Sequence, residues 1–367
     1  MINPSSKLLQ FPEKKKNIIL IDLESMDSAF LSTKNGGCMD ESLIPYLEEL
    51  ALDKNNIHFT NTSYPKLGGM SIVSRTEFST GSTFGVLCGA PFMGDNYKWG
   101  RSHGYLDKLT CMSNLLQDED YILSATFGST FGDWGFGNIF RKHNFDKINT
   151  RYQIERDIHN EYVKDFATYS YFKRELNYLH KSRKPFLAFI TTSDTHEPGI
   201  ECDYCPKNIS QQLFKTVRCA NNQIKEFLEW AKLQEWYNNT VIVIYGDHVS
   251  RDVNVIDIAK AKNMMREAYI VFINSEVKAN KTYERKFIAY DLFPSILAAT
   301  GVKIKDNRLG LGVNIFSNES TLLEKYQDKF VSSFSDTTYW YETVILNKPA
   351  QCDGFTPCIS IENFTQI

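Results

Sequence analysis

The stretch Asn17-Ile-Ile-Leu-Ile-Asp-Leu-Glu24 is an almost uninterrupted apolar run that ends abruptly in a carboxylate. A second run, Val241-Ile-Val-Ile-Tyr-Gly-Asp247-His248, repeats this pattern with Asp and His at its end. Both runs predict β-strands, and in open α/β sheets ligands bind in the crevice at the carboxyl ends of the strands. The sequence therefore predicts an α/β fold with a site at Glu24, Asp247 and His248.

Working outward from these runs, apolar segments alternate with helix-like segments along most of the chain. The pattern predicts strands at 17–23, 57–60, 121–126, 186–192, 240–245 and 269–273, and helices at 41–52, 76–87, 107–117, 163–181, 211–233 and 289–300. This alternation favours a mostly parallel central sheet with helices on both faces. From about residue 318, Ser/Thr/aromatic segments at 329–336 and 338–346 predict strands of a small C-terminal α+β subdomain.

Composition narrows the classes of protein. A chain of 367 residues is long enough for one large α/β domain. A formal charge of −3 and a pI near 6.2 give no reason to expect a nucleic-acid partner. No apolar run approaches the roughly 20 residues of a membrane helix, and residues 1–16 lack the apolar core of a signal peptide. We therefore expect either a cytosolic protein or one whose export or anchoring segment lies outside this sequence.

The residue types at the strand ends suit metal chemistry. Carboxylate and imidazole groups are ligands that zinc and manganese accept. Thr76 opens the predicted helix 76–87, and a hydroxyl at a helix N-terminus lies where phosphate binds readily. A metal ion there would lower the pKa of the hydroxyl and create a nucleophile. The alternatives are a loop carboxylate at Glu24, a capping Asp247 with an incidental His248, and a helix cap at Thr76 or Ser74.

The chain contains eight cysteines, and spacing alone leaves their pairing open. Cys202-x-x-Cys205 is similar to a zinc knuckle, but only Cys219 follows and no Cys/His pair completes such a site. Cys352 and Cys358 bracket a turn-rich loop that a disulfide could close. We favour disulfides in an oxidising compartment over buried free thiols.

Together these motifs identify a resemblance to the alkaline phosphatase/sulfatase superfamily. Within it the chain is most similar to bacterial phosphoglycerol transferases that act on periplasmic glucans, with lipoteichoic acid synthases and phosphoethanolamine transferases as further relatives. The likeness runs from about Asn17 to Phe316. Its segments are 17–25, 78–91 with the Cys-Gly-x-Pro ending, 143–146, 193–198, 240–248, 291–297 and 310–312. The resemblance implies an alkaline phosphatase-like catalytic domain at 17–317, between an N-terminal extension at 1–16 and the C-terminal subdomain at 318–367.

The resemblance also implies roles for individual residues. One divalent ion, Zn²⁺ or Mn²⁺, would be held by Glu24, Thr76, Asp247 and His248. In such enzymes the nucleophilic threonine precedes the Gly-x-Pro turn by a constant interval, and counting back 13 residues from Gly89 or 15 from Pro91 gives Thr76. His196 would hold the phosphate or protonate the leaving oxygen.

Weaker implications concern the substrate contacts and the cysteines. Trp134 and Arg141 lie in a glycine-rich stretch where relatives contact the phosphate or headgroup, and Asp194 would assist His196 or shape its loop. The implied disulfides are Cys88–Cys111 and Cys202–Cys219, which leaves Cys38 and Cys205 unpaired. Arg75 and Glu77 depart from the glycines of glucan-modifying enzymes, and Cys88-Gly-Ala-Pro91 lacks the spacing and arginine of a maturing sulfatase.

The function implied is transfer of phosphoglycerol from a glycerophospholipid such as phosphatidylglycerol, through a covalent threonine intermediate, to a glycan hydroxyl. The donor would bring the protein to a membrane surface. The location implied is periplasmic or extracytoplasmic, as the soluble domain of a membrane-anchored protein. The alternatives are phosphoethanolamine transfer from phosphatidylethanolamine to lipid A or a glycan, a phosphodiesterase, and a non-catalytic glycan- or lipid-binding domain. The set of Glu24, Thr76, Asp247 and His248 argues against the last, because a binding module needs no activated nucleophile.

Overall fold

A six-stranded sheet forms the centre of this computed structural model, which describes residues 1–92, 108–155 and 163–333. The strands in chain order are β1 Leu9–Gln10, β2 Asn17–Leu23, β3 Ile122–Phe127, β4 Lys147–Asn149, β5 Phe186–Thr191, β6 Thr240–Gly246, β7 Ile270–Ile273, β8 Lys303–Ile304, β9 Arg308–Leu309 and β10 Gly312–Val313. The sheet order is β4-β3-β5-β2-β6-β7, with only β7 antiparallel to its neighbour. Two short antiparallel pairs, β1 with β8 and β9 with β10, lie outside it.

Helices cover both faces of this sheet. They are α1 Pro45–Leu52, α2 Ser79–Cys88, α3 Met112–Gln117, α4 Phe136–Lys142, α5 Arg151–Ile154, α6 Asp165–Lys181, α7 Gln212–Lys232, α8 Val253–Ala261, α9 Ala289–Ala299, α10 Leu322–Tyr326 and α11 Asp328–Ser332. None of the helices within the described ranges combines the length and apolarity that crossing a bilayer requires. The predicted fold class, a mostly parallel sheet with helices on both faces, is confirmed.

Alternation along the central strand explains the two layers. All seven residues of β2 are buried, and successive side chains of a strand point to opposite faces. Leu20 packs into a core with Phe84 of α2 and helix α9, whereas Ile21 packs into a second core with Phe172 of α6 and helix α7. Burial of each such side chain contributes about 1.5–3 kcal/mol.

Three predicted elements differ from the structure in the following ways. The expected strand at 57–60 is reduced to one isolated bridge between Ile57 and Phe272. The helix expected at 76–87 begins only at Ser79. The expected strand at 329–336 is helical as far as Ser332, where α11 follows directly on α10. The segment 338–346 and the pair Cys352 and Cys358 lie outside the described residues.

Candidate active site

Glu24, Asp247 and His248 come together at the carboxyl ends of β2 and β6. The two strands pair in parallel with Leu23 opposite Gly246, so the residue that follows each strand emerges at the same edge. Ligand atoms of the three side chains all lie within 4.8 Å of one another. Nε2 of His248 is 3.5 Å from Oε1 of Glu24 and 3.4 Å from Oδ2 of Asp247. The structure thus brings together three of the four predicted metal ligands.

Backbone and hydroxyl donors hold the two carboxylates in place. Oδ1 of Asp247 accepts hydrogen bonds from the backbone N–H groups of Ser25 and His248, each at 2.7 Å. Oε1 of Glu24 accepts a hydrogen bond from the Ser25 hydroxyl at 2.7 Å. A Cβ at Gly246 would lie 2.3 Å from the carbonyl oxygen of Met26, so only glycine lets the loop after β2 pass so close to β6.

The electrostatics of this set suit a cation. Burial, and then the charge of Asp247, raise the pKa of Glu24 to about 7. Burial alone would lower the pKa of His248, but the carboxylates of Asp247 and Glu24 raise it overall. Among the described residues Oδ2 of Asp247 is buried without a hydrogen-bond partner. A divalent ion would neutralise both carboxylates and give Oδ2 of Asp247 the partner that it lacks. The residues therefore fit the predicted metal.

His248 is oriented as a metal ligand. Its Nδ1 lies 3.0 Å from the carbonyl oxygen of Val249, and an Nδ1–H that donates there leaves the lone pair of Nε2 facing Glu24 and Asp247. Asp22, two residues before Glu24, was not predicted as a site residue because it lies inside the apolar run. Its burial, and then the charge of Asp247, raise its pKa well above the usual range, while the Thr83 hydroxyl donates to it at 2.8 Å.

The structure does not bring Thr76 to this set and places Ser79 there instead. The Thr76 side chain is fully buried, and its hydroxyl donates to the carbonyl oxygen of Val73 at 2.9 Å. The Ser79 hydroxyl donates to Oε2 of Glu24 at 3.0 Å and lies 3.4 Å from Nε2 of His248. Ser79 is the first residue of α2, so its hydroxyl also lies beside the free N–H groups of that helix.

A cavity of about 560 Å³ opens onto this set. Ser79, His248 and Glu24 line it, together with the predicted residues Trp134 and His196. The Trp134 and His196 rings stack with their centroids 6.5 Å apart and their planes inclined by 29°. His196 is exposed and its Nδ1 lies 3.1 Å from the carbonyl oxygen of Glu197. Both rings therefore face a space large enough for a phosphate and its substituents.

Two further predicted residues lie away from the cavity. The Arg141 guanidinium donates to Asn138 at 2.7 Å and lies 5.0 Å from the centre of the Phe131 ring. Asp194 is buried, and its Oδ2 accepts a hydrogen bond from the backbone N–H of Asp165 at 3.2 Å. Burial, and then Asp165, raise the pKa of Asp194 to about 9. Asp194 therefore shapes the loop that carries His196, whereas Arg141 lies on the outer side of α4.

Arg251 and Glu197 line the cavity but were not predicted. The Arg251 guanidinium donates to the carbonyl oxygen of Glu77 at 2.7 Å. Glu197 accepts hydrogen bonds from the backbone N–H of Arg251 and, at 2.9 Å, from the Ser250 hydroxyl. Arg251 lies three residues after His248. This proximity to a predicted ligand is the feature of the sequence that could have indicated Arg251 as a site residue. These two residues add opposite charges to the cavity wall.

The predicted disulfide pairing of the cysteines is confirmed only in part. The predicted Cys88–Cys111 disulfide is confirmed. The predicted Cys202–Cys219 bond is wrong, because Cys219 is bonded to Cys205 and Cys202 is a free thiol. Cys38 is free and buried, as expected. Cys202 and Cys205 lie in one tight turn, with Cys205 N–H bonded to the Cys202 carbonyl oxygen, so both reach Cys219 and spacing does not distinguish them.

Comparisons with known proteins extend these observations. The sulfatase family matches residues 16–302 of this chain. A lipoteichoic acid synthase of Staphylococcus saprophyticus is 27% identical over 330 residues, covering 83% of this chain and 48% of that protein. A phosphoglycerol transferase I of Xanthomonas campestris is 23% identical over 343 residues, covering 86% of this chain and 45% of that protein. The chain thus spans about half the length of the curated relatives it matches.

Solved structures agree on the fold. The lipoteichoic acid synthase LtaP from Listeria monocytogenes superposes with a TM-score of 0.62 at 19% identity, over 83% of this chain and 77% of that one. The C-terminal periplasmic domain of EptC from Escherichia coli gives a TM-score of 0.56 at 14% identity, over 85% of this chain and 91% of that one. The family match, the fold and the resemblance carried by the motifs lead to one conclusion: the chain belongs to the sulfatase family, within the alkaline phosphatase superfamily.

Proposed function

We propose that this protein is a metal-dependent transferase that moves phosphoglycerol from a glycerophospholipid to a hydroxyl of a cell-surface or periplasmic glycan. One observation carries the proposal: the Ser79 hydroxyl lies 3.0 Å from Glu24 and 3.4 Å from His248, at a helix N-terminus facing the cavity. A hydroxyl beside metal ligands and free N–H groups is suited to attack phosphorus. The relatives named phosphoglycerol transferase and lipoteichoic acid synthase support the choice of group.

The nucleophile in this proposal is Ser79 rather than Thr76. Glu24, Asp247 and His248 would hold one Zn²⁺ or Mn²⁺ ion, which lowers the pKa of a neighbouring hydroxyl. Ser79 Oγ forms a bond to the phosphorus of the donor, and the bond from phosphorus to the diacylglycerol oxygen breaks. The glycan hydroxyl then attacks the same phosphorus and gives its proton to His196, and Ser79 Oγ leaves. The N–H groups at the start of α2 stabilise the phosphoryl oxygens in both steps.

His196 and Arg251 supply the remaining chemistry of the cavity. His196 donates a proton to the departing diacylglycerol oxygen, and its ring stacking on Trp134 keeps it oriented. Arg251 lines the same space, and its guanidinium attracts the anionic phosphodiester. The aromatic wall that Trp134 and Phe78 form accommodates the apolar part of the donor's glycerol.

Phosphoethanolamine transfer is the second candidate, and Glu197 favours it. Its carboxylate lines the cavity and could pair with the ammonium of an ethanolamine headgroup. A protein named phosphoethanolamine transferase EptC, from Campylobacter jejuni, shares the fold. A phosphodiesterase would share the first half-reaction, with water in place of the glycan.

The proposed location is extracytoplasmic, with residues 17–317 as the catalytic domain. The Cys88–Cys111 and Cys205–Cys219 disulfides support this location. The donor lipid would bring the domain to a membrane surface.

Mass spectrometry of the intact protein tests the proposal directly. The protein is incubated with Mn²⁺ or Zn²⁺ and vesicles of phosphatidylglycerol or phosphatidylethanolamine, without an acceptor. We expect a covalent phosphoglycerol adduct on Ser79 that a glycan acceptor discharges. An ethanolamine-phosphate adduct would select the second candidate, and an adduct that water discharges as fast as a glycan would select the phosphodiesterase. The absence of any adduct on Ser79 would contradict the covalent mechanism.

A further inference from the structure

Three cysteine sulfurs converge in the loop that follows the His196 segment. Cys202 and Cys205 lie in this loop, and Cys219 lies on α7. Sγ of Cys202 is 3.3 Å from Sγ of Cys205 and 3.6 Å from Sγ of Cys219. The free thiol therefore touches both sulfurs of the Cys205–Cys219 disulfide. The proposed transferase reaction makes no use of this cluster.

The position of Cys202 fits a shared ligand site better than disulfide exchange. A thiol that attacks a disulfide approaches along the extension of the S–S bond, whereas the Cys202 sulfur lies beside the bond and near both of its atoms. In a tetrahedral zinc site, Zn–S bonds of about 2.3 Å place neighbouring sulfurs roughly 3.8 Å apart. The two contacts of Cys202, at 3.3 and 3.6 Å, are close to that separation.

Gln223 supplies a fourth group to the same point. Its side chain is only 9% exposed, and its Nε2 lies 3.8 Å from Sγ of Cys219 and 3.9 Å from Sγ of Cys202. Its Oε1 is buried without a hydrogen-bond partner among the described residues. Rotation of the amide exchanges nitrogen and oxygen, which would direct a neutral oxygen ligand at the sulfurs. In this second orientation a cation at the sulfurs would give the buried amide oxygen the partner that it lacks in the first.

We propose that in the reduced protein Cys202, Cys205 and Cys219 hold one thiophilic divalent ion such as Zn²⁺, with the Gln223 amide oxygen as the fourth ligand. Each thiol releases its proton as a metal–sulfur bond forms. A small-molecule disulfide oxidises the Cys205 and Cys219 thiolates to the protein disulfide and leaves as two thiolates, so two ligands are lost and the ion is released. A phosphine or dithiol reverses this oxidation and supplies the two electrons.

The site would brace a wall of the cavity. Ile200 lines the cavity, and Cys202 follows it by two residues. An ion held by Cys202 and Cys219 would tie this loop to α7. This site is separate from Glu24, Asp247 and His248. A test of the inference therefore does not depend on whether the proposed transferase function is correct.

Cadmium alone is the probe that tests this site. Cadmium–thiolate bonds give an ultraviolet charge-transfer band, which the oxygen and nitrogen ligands of the candidate active site do not produce. The full chain is reduced with a phosphine, desalted without oxygen and titrated with Cd²⁺. We expect a band in the reduced protein and its loss in the oxidised protein. Cys202→Ser should lower this cluster's band by about a third, since it removes one of three thiolates.

Matched variants complete the experiment. Gln223→Leu should keep the band but weaken Cd²⁺ binding by about 10–100-fold, the usual effect of losing a supporting polar group. Cys38→Ser removes a free buried thiol outside the cluster and should change nothing. Cys88, Cys111 and His143 also lie together, and reduction opens the Cys88–Cys111 disulfide as well. This pair, Cys352 and Cys358 are the same in the reduced wild type and in reduced Cys202→Ser, so the difference between these two proteins is the signal of the proposed site. An unchanged band in Cys202→Ser, or equal binding by oxidised protein, would overturn the inference.

Discussion

The two ends of the central sheet treat buried polar groups in opposite ways. At the amino ends of the strands, the Asn17 amide donates to the Thr240 hydroxyl at 3.1 Å and accepts from the Phe186 backbone N–H at 3.3 Å. The Thr240 hydroxyl donates in turn to the Trp236 carbonyl oxygen at 2.7 Å. Both polar atoms of Asn17 are therefore satisfied within the protein, and this end of the sheet needs no ligand.

At the carboxyl ends, the same strands leave polar atoms without partners. Among the described residues, Oδ2 of Asp247 and Oδ1 of Asp22 are buried with no hydrogen-bond donor. The pKa of Glu24 is raised to about 7, first by burial and then by Asp247. An unsatisfied buried polar group costs about 1–3 kcal/mol, and more when it is charged. The difference indicates that this end of the sheet gives up stability at a site that a bound cation would complete.

The largest effect should come from Ser79→Ala. Loss of the hydroxyl beside Glu24 should abolish the covalent adduct and slow turnover by about 10⁴-fold or more, the scale seen when a covalent nucleophile is removed. The matched control is Thr76→Val, which removes a hydroxyl buried against Val73. It should keep activity but lose about 1–2 kcal/mol of unfolding free energy. Quenched-flow mass spectrometry and urea denaturation measure the two quantities. Retained activity in Ser79→Ala, with loss in Thr76→Val, would return the nucleophile to Thr76.

Asp247→Asn should separate stability from metal binding. The amide keeps the oxygen that accepts from Ser25 and His248 but removes a buried charge next to Glu24. Metal affinity should fall by at least about 100-fold. In the presence of a chelator the variant should be about 1–3 kcal/mol more stable than the wild type. Calorimetric metal titration and chemical denaturation with chelator test both signs. If the variant is less stable than the wild type without metal, the negative charges of Glu24 and Asp247 do not destabilise the metal-free protein.

Asn17→Leu should do the reverse at the amino end. It removes the hydrogen bonds to Thr240 and Phe186, so the unfolding free energy should fall by about 1–3 kcal/mol. Metal affinity and the rate of adduct formation should match those of the wild type. Denaturation and metal titration of this variant, beside Asp247→Asn, provide the comparison. If Asn17→Leu loses metal, the two ends of the sheet are coupled and the contrast fails.

The smallest effect concerns Asp165 and Asp194 behind the His196 loop. Burial is the first cause that raises their pKa values, to about 6 and about 9. The folded state therefore binds more protons than the unfolded state, and stability should fall as the pH rises from about 4 to 9. Asp194→Asn should remove the upper part of this slope. Urea denaturation between pH 5 and 9 with chelator measures the difference, and parallel profiles for both proteins would count against the interpretation.

The local pattern of apolar residues was enough to predict two strands and the residues at their ends. The apolar runs before Glu24 and Asp247 predicted β2 and β6 because a buried parallel strand needs nearly every side chain to be apolar. A polar residue directly after such a run must emerge at the sheet edge, so two of the candidate metal ligands followed from the pattern. Asp22 was missed for the same reason, since a carboxylate inside the run looks like an exception. Arg251 and Glu197 were missed because the loops that bring them to the cavity carry no periodic signal.

The sequence by itself determined the layered α/β fold, the edge where the site lies and the residue types that gather there, because apolar periodicity and strand ends are local properties. Only the tertiary structure decided between Thr76 and Ser79. The helix begins at Ser79 rather than Thr76, so Ser79 lies in its first turn with its hydroxyl on Glu24, whereas Thr76 stays in the preceding turn with its hydroxyl on the carbonyl oxygen of Val73. Only the tertiary structure decided the partner of Cys219, because Cys202 and Cys205 both lie within bonding reach and three-dimensional packing selects one of them.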